Sequence, residues 1–162
     1  MKSLNKNILT ALFVAIGMLS AHLIFIPIGP SRCFPIQSAI NILLAVWLGT
    51  RYALSGALLI SLLRNILGTG SLLAFPGSLF GALLAGLLYR RTGSVLWATI
   101  GEIIGTGLIG SLVGFPIATY FMGSQALGLF FLVLPFTLSA LGGAVIAWLL
   151  SKSPLHKIFK HH

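Results

Sequence analysis

Six apolar segments, each close to the length of a membrane-crossing helix, follow one another with only a few residues between them. A helix needs about 20 apolar residues to cross a bilayer. The candidate runs are approximately 7–26, 34–49, 52–67, 71–89, 94–121 and 125–150. The breaks are Pro27 with Gly29-Pro30, Arg51, Gly68-Thr69-Gly70, Arg90-Arg91 with Gly93, and Lys152 with the basic tail. Pro76-Gly77 interrupts the fourth run near its start, and Pro116 lies toward the far end of the fifth. Only 7% of the 162 residues are charged and 57% are hydrophobic, where a soluble domain carries about 25% charged residues. The pattern predicts an all-α integral membrane protein, with six transmembrane helices in one compact bundle spanning 1–162. The apolar run from Ile8 to Ile28 is longer than the roughly 7–15 residues of a signal-peptide core, so the first segment reads as a span.

Charge then sets the orientation. Ten Lys and Arg stand against Glu102, the only acidic side chain, giving +9. In a soluble protein that balance suggests nucleic acid; here the basic residues fall in short loops and tails, as membrane topology requires, and no nucleic acid is expected. With a cytoplasmic N-terminus, Lys2, Lys6, Arg51, Arg90, Arg91, Lys152, Lys157 and Lys160 lie inside, and only Arg32 and Arg64 outside. The positive-inside rule therefore predicts both termini in the cytoplasm, in the cell membrane.

The outer exceptions gather polar chemistry. Arg64 to Ser78 carries Arg64, Asn65, Thr69, Ser71, Phe75 and Ser78 around two helix-breaking steps. Gln37 and Asn41, four apart, share one face of the second helix. Such groups are costly in a bilayer unless they face water, protein or ligand. They predict a small-molecule site in the outer half of the bundle, with the proline-rich loop from Pro27 to Pro35, including Pro30, Arg32 and Phe34, closing over it as a lid.

Several motifs have plainer readings. Gly105-Thr106-Gly107-Leu108-Ile109-Gly110 matches G-x-G-x-x-G, but that dinucleotide motif needs a strand, a turn and a helix; inside an apolar run the glycines thin a helix for packing. The pairs Gly101/Gly105, Gly110/Gly114 and Gly77/Gly81 have the same G-x-x-x-G spacing. One acid, one cysteine (Cys33) and no clustered histidines leave no catalytic or metal constellation, so no enzyme activity, cofactor or metal is expected; His22 reads as a packed or interfacial histidine. Glu102 lies eight residues past Ser94, about 12 Å along its helix, where a bare charge is expensive. It must be paired, protonated or facing a polar cavity. Arg64, thirteen residues past Arg51 and so about 20 Å along, is the only cation placed at depth. An ion pair between them and a ligand contact both fit. Ala11 and Ala15 have small-x-x-x-small spacing, which serves either packing within the bundle or a groove for another membrane protein.

Taken together, Arg64-Asn65-x-x-Gly68-Thr69-Gly70, Ala74-Phe75-Pro76-Gly77-Ser78, Gly101-Glu102-x-x-Gly105-Thr106-Gly107, and Phe34-Pro35-x-Gln37 before Asn41 resemble the ThiW family, along nearly the whole chain and in the same order. These are thiazole-specific substrate-binding (S) components of energy-coupling factor (ECF) vitamin transporters. Where histidine usually follows Gln37 in that family, this chain has Ser38, which puts affinity or specificity in question. The resemblance implies capture of hydroxyethylthiazole, the thiazole half of thiamin. It also implies delivery inward with a transmembrane coupling protein and two cytoplasmic ATPases, the first helix meeting the coupling protein at Ala11 and Ala15. The chain has no phosphate-binding loop of its own. The expected ligand contacts are Gln37, Asn41, Arg64, Asn65, Thr69, Phe75, Ser78, Glu102 and Thr106, with Phe34 and Phe115 as further rings. An S component for another small vitamin or precursor, such as thiamin or its pyrimidine half, is the alternative. A stand-alone channel or facilitator would be favoured by paired halves, and the sequence has no convincing internal repeat.

Overall fold

Prolines and glycines set most of the element boundaries. The structure, a computed structural model, describes residues 3–28, 31–121 and 130–153. Helix α1 spans Ser3–Leu23 and α2 Pro35–Trp47, with proline in the first turn of α2, where a missing N–H costs nothing. Helix α3 spans Thr50–Ile66, α4 Ala74–Thr92, α5 Val95–Phe121 and α6 Phe130–Lys152. The stretch 125–129, expected to open the last helix, lies outside the described residues.

Two expectations are corrected. Helix α4 begins at Ala74 rather than Ser71 and is not broken at Pro76-Gly77. Pro76 is the third helical residue, inside the first turn, whose N–H groups have no partner in the helix anyway. The segment after α1 is also more regular than a stiff loop. Strands β1 (Ile26–Ile28) and β2 (Ser31–Cys33) pair antiparallel, with Pro27 opposite Arg32; a two-stranded ribbon is all edge, so proline is tolerated there. Pro30 lies outside the described residues.

Helix α2 is the centre of the bundle. It packs against all five other helices, and eleven of its 13 residues are buried. Around it the outer surfaces are apolar: Leu4, Ile8, Leu12, Ile16 and Leu19 on α1, Leu108 and Leu112 on α5, and Leu134, Leu138 and Val145 on α6 are exposed. The buried set includes Gln37, Asn41, Ser61, Arg64, Ser78, Glu102 and Thr106. A polar interior inside an apolar surface is the arrangement that hydrocarbon solvent requires. Three helical stretches, Leu4–Ala21, Val95–Phe121 and Phe131–Lys152, are long and apolar enough to cross a membrane.

The glycine pairs hold α4 against α5. A Cβ on Gly101 would sit 2.6 Å from the Leu84 carbonyl oxygen, and one on Gly105 would collide with the Phe80 carbonyl. One on Gly110 would come 2.7 Å from the Gly77 Cα. The backbones touch, as small residues permit. The G-x-G-x-x-G run lies inside a helix, within a π-helical stretch Ile103–Gly110 of α5; the helical stretch Val95–Glu102 leads into it where the motif needs a strand and a turn, and the nucleotide reading fails.

Candidate functional site

The end of α3 is shaped by its C-cap. Gly68 has φ +72°, the left-handed conformation that glycine adopts without penalty. The Thr69 N–H donates to the Arg64 carbonyl (2.9 Å) and the Gly68 N–H to the Asn65 carbonyl (3.2 Å), the paired closure of a Schellman motif. Asn65 staples the turn from its side: its amide donates to the carbonyls of Ser61 (2.8 Å) and Ser71 (3.0 Å). The turn is therefore fixed by backbone and Asn65, and the Arg64 side chain is directed inward.

There it meets a cavity of about 360 Å³, within the size range of small-molecule sites. Helix α2 contributes Gln37, Ser38 and Asn41, and α3 contributes Arg64. The turn and α4 add Thr69, Ser71, Gly77 and Ser78, and α5 adds Thr106. Phe136 and Ser139 close the α6 side, and Arg32 and Phe34 lie at the hairpin.

Arg64 is 2% exposed. One terminal nitrogen donates to Gln37 Oε1 and the other to the Thr69 carbonyl at 3.5 Å. The guanidinium carbon lies 3.6 Å from the centre of the Phe34 ring, a desolvated cation–π stack. Gln37 passes the chain on to Ser61 (3.3 Å), whose hydroxyl is 2.8 Å from that of Ser78. Asn41 donates to the Ser78 carbonyl (3.3 Å) and to Glu102 Oε1 (3.1 Å). Thr106 stands 3.0 Å from the same carboxylate oxygen and 2.9 Å from the Gly77 carbonyl.

Arg64 and Glu102 are not an ion pair. Glu102 is 0% exposed and lies behind Asn41 and Thr106 rather than in the cavity wall, and its Oε2 lies against Gly81, where a Cβ would approach within 2.6 Å. Three buried polar side-chain atoms have no partner among the described residues: Asn41 Oδ1, Arg64 Nε and Glu102 Oε2. The first two belong to residues of the cavity wall. Buried polar groups are almost always satisfied, so an open donor and an open acceptor on residues of one wall stand out.

Gln37, Asn41, Arg64, Thr69, Ser78, Thr106, Arg32 and Phe34 are thus brought to one cavity, and Ser38 with them. Asn65 secures the turn, and Phe75 and Phe115 lie half-buried outside the wall. Phe136 and Ser139 also line the cavity and are not among the residues expected from the sequence. Ser139 accepts the Phe34 N–H (2.9 Å), and its hydroxyl donates to the Pro135 carbonyl (2.8 Å), which also accepts the Cys33 thiol (3.1 Å). The available signal was a pair of hydroxyls, Thr137 and Ser139, in the apolar run of α6. Ala11 and Ala15 are exposed on α1, far in sequence from every residue of the wall.

A polar cavity among helices with apolar outer faces suits a membrane protein that handles a small molecule. Over residues 8–157 the chain matches the family described as thiamine-precursor transporter protein (ThiW), and it belongs to that family. No curated protein and no solved structure matches it.

Proposed function

We propose that this chain is the substrate-binding S component of an energy-coupling factor transporter, and that its ligand is hydroxyethylthiazole. The supporting observation is the cavity beneath the hairpin, where Arg64 Nε–H is an open donor and Asn41 Oδ1 an open acceptor. A thiazole nitrogen accepts one hydrogen bond and a hydroxyethyl arm donates one, so the pair matches both ends of the ligand. Phe34 and Phe136 offer ring faces to a flat, mostly apolar guest. The β1–β2 hairpin acts as the lid, entered from outside. All six helices cross the membrane with both termini cytoplasmic. Arg51, Arg90 and Arg91 then mark the inner end, and Gly86 packing beside Thr50 is consistent with α3 and α4 running antiparallel. The exposed Ala11 and Ala15 are the contact for the coupling protein, which works with two ATPases.

Calorimetry or native mass spectrometry of the purified protein with hydroxyethylthiazole, thiamin and the pyrimidine half tests the substrate. The thiazole is expected to bind most tightly; tight binding of thiamin with none of the thiazole would overturn the assignment. Co-purification tests the assembly: the subunit is expected to bring down a membrane partner and ATPases, and a stand-alone channel would bring neither.

A further inference from the structure

The charges around the cavity are of one sign. Arg64 lines it, almost fully buried, and a guanidinium stays protonated in any protein environment. Arg32 lines it at the hairpin, its guanidinium carbon 4.7 Å from the Phe25 ring centre. The chain's single carboxylate does not face the cavity: Oε1 of Glu102 is taken by Asn41 and Thr106, and Oε2 lies against Gly81. Gln37, Phe34 and the Thr69 carbonyl hold the Arg64 fork, and Nε is its nitrogen without a partner. A guanidinium has no acceptor to offer.

We propose that Arg64 makes this a charge-selective site, which takes uncharged heteroaromatic rings carrying a lone-pair nitrogen and rejects their N-alkylated, cationic counterparts. This rests on the ligand-binding reading of the cavity. N-alkylation acts twice: it removes the lone pair that Arg64 Nε–H would meet, and it places a fixed positive charge beside a buried cation with no facing acid to offset it. Both effects point the same way. The site therefore separates a free thiazole from a thiazolium, the form the ring takes once alkylated at nitrogen, by its chemistry and not by size alone.

The experiment compares matched pairs on the purified full-length protein: hydroxyethylthiazole against its N-methyl thiazolium, and a neutral pyrimidine or pyridine against its N-methyl cation. Each neutral member is expected to bind at least about 100-fold more tightly than its cation, since sites built around a hydrogen bond reject analogues lacking it by large factors. A cation binding as tightly as its neutral partner overturns the proposal. If the thiazole fails to bind while another neutral ring outcompetes its cation, the substrate assignment falls and charge selection stands; if no ring binds, both fall. Arg64→Gln is expected to weaken the neutral ligand and to narrow the neutral-to-cation ratio. Arg64→Lys keeps the charge without the fork and is expected to weaken the neutral ligand while preserving rejection of the cation. A folded Arg64→Gln protein with the wild-type ratio removes Arg64 as the selector, and the wild-type pairs decide the selectivity whether or not that variant folds.

Discussion

Arg64 and Glu102 are two buried charged residues in one bundle, and their surroundings are opposites. Arg64 stands at an open space, stacked on Phe34 at the end of the hairpin and held by a glutamine, with its Nε–H without a partner. Glu102 stands in a closed layer where α4 and α5 meet backbone to backbone, and its oxygens face Asn41, Thr106 and a glycine. Burying a charge is tolerable only with partners. At Arg64 the atom left without a partner belongs to a residue of the cavity wall; at Glu102 the atom left without one, Oε2, is closed off by Gly81. The comparison assigns exchange to the first region and support to the second, and it can be broken at either.

The largest expected effect is in the closed layer. Gly81→Ala places a methyl 2.6 Å from Glu102 Oε2 and 2.8 Å from its Cδ. The Thr106 hydroxyl stands nearer still, and relief by parting the helices would break the backbone contacts at Gly101 and Gly105. Overpacking of this kind costs about 3 kcal/mol, so the unfolding midpoint in detergent should fall sharply. A variant as stable as wild type would show that the layer is loose.

How much of this contrast the sequence carried differs between the two regions. The glycine spacing in 101–114 announced close helix contact, because a missing side chain is a local property. The outer cluster was visible for the same reason: Gln37 and Asn41 share a face by spacing alone, and Gly68 announces a helix end. What spacing leaves out is rotation between helices. Nothing local says that Asn41, 61 residues before Glu102, turns toward it, or that Arg64 turns toward Gln37 instead. Phe75 shows the same limit. It sits between Ala74 and Gly77 in a motif that reaches the cavity, yet the wall takes Ala74, Gly77 and Ser78, and Phe75 falls about 100° round the helix from Ala74. The π-helical turns of α5 arise from its packing, and the hairpin's strands are three residues long, too short for any periodic signal.

Glu102→Gln sharpens the comparison next. Oε1 keeps its two donors but loses the charge that strengthens them, and an amide replaces the unpartnered Oε2 against Gly81. A buried unsatisfied donor costs about 2 kcal/mol, read as a lower unfolding midpoint. Ligand affinity should stay within about threefold, since the group is not in the wall. Lost affinity at unchanged stability would move Glu102 from support to ligand contact.

Phe34→Ala addresses the open region and should behave in reverse. It removes the ring on which Arg64 stacks, a desolvated cation–π contact of about 1–2 kcal/mol, while the backbone N–H of residue 34 keeps its bond to Ser139. Affinity should fall about tenfold, equivalent to 1.4 kcal/mol, with little change in melting. A stability loss as large as that of Gly81→Ala would mean that the ring belongs to the core.

The smallest expected effect is a rate at the hairpin. Cys33, the chain's only cysteine, lies on β2, 1% exposed, with its thiol donating to the Pro135 carbonyl. Burial pushes this thiol above its ordinary range, and the hydrogen bond with Ser139 offsets part of that rise. The thiolate is the reactive form. A raised pKa leaves less thiolate at neutral pH, so alkylation of Cys33 should be slower than that of an unfolded control, and its pH profile should be displaced upward. Ligand adds a second slowing if the hairpin is the lid, because contacts between guest, Phe34 and Arg64 hold β2 down on α6. Phe34→Ala should remove that ligand-dependent part and leave the basal slowness. Alkylation unaffected by ligand in the wild type, at concentrations where binding is saturated, would make the hairpin a fixed rim and confine exchange to the side chains of the wall.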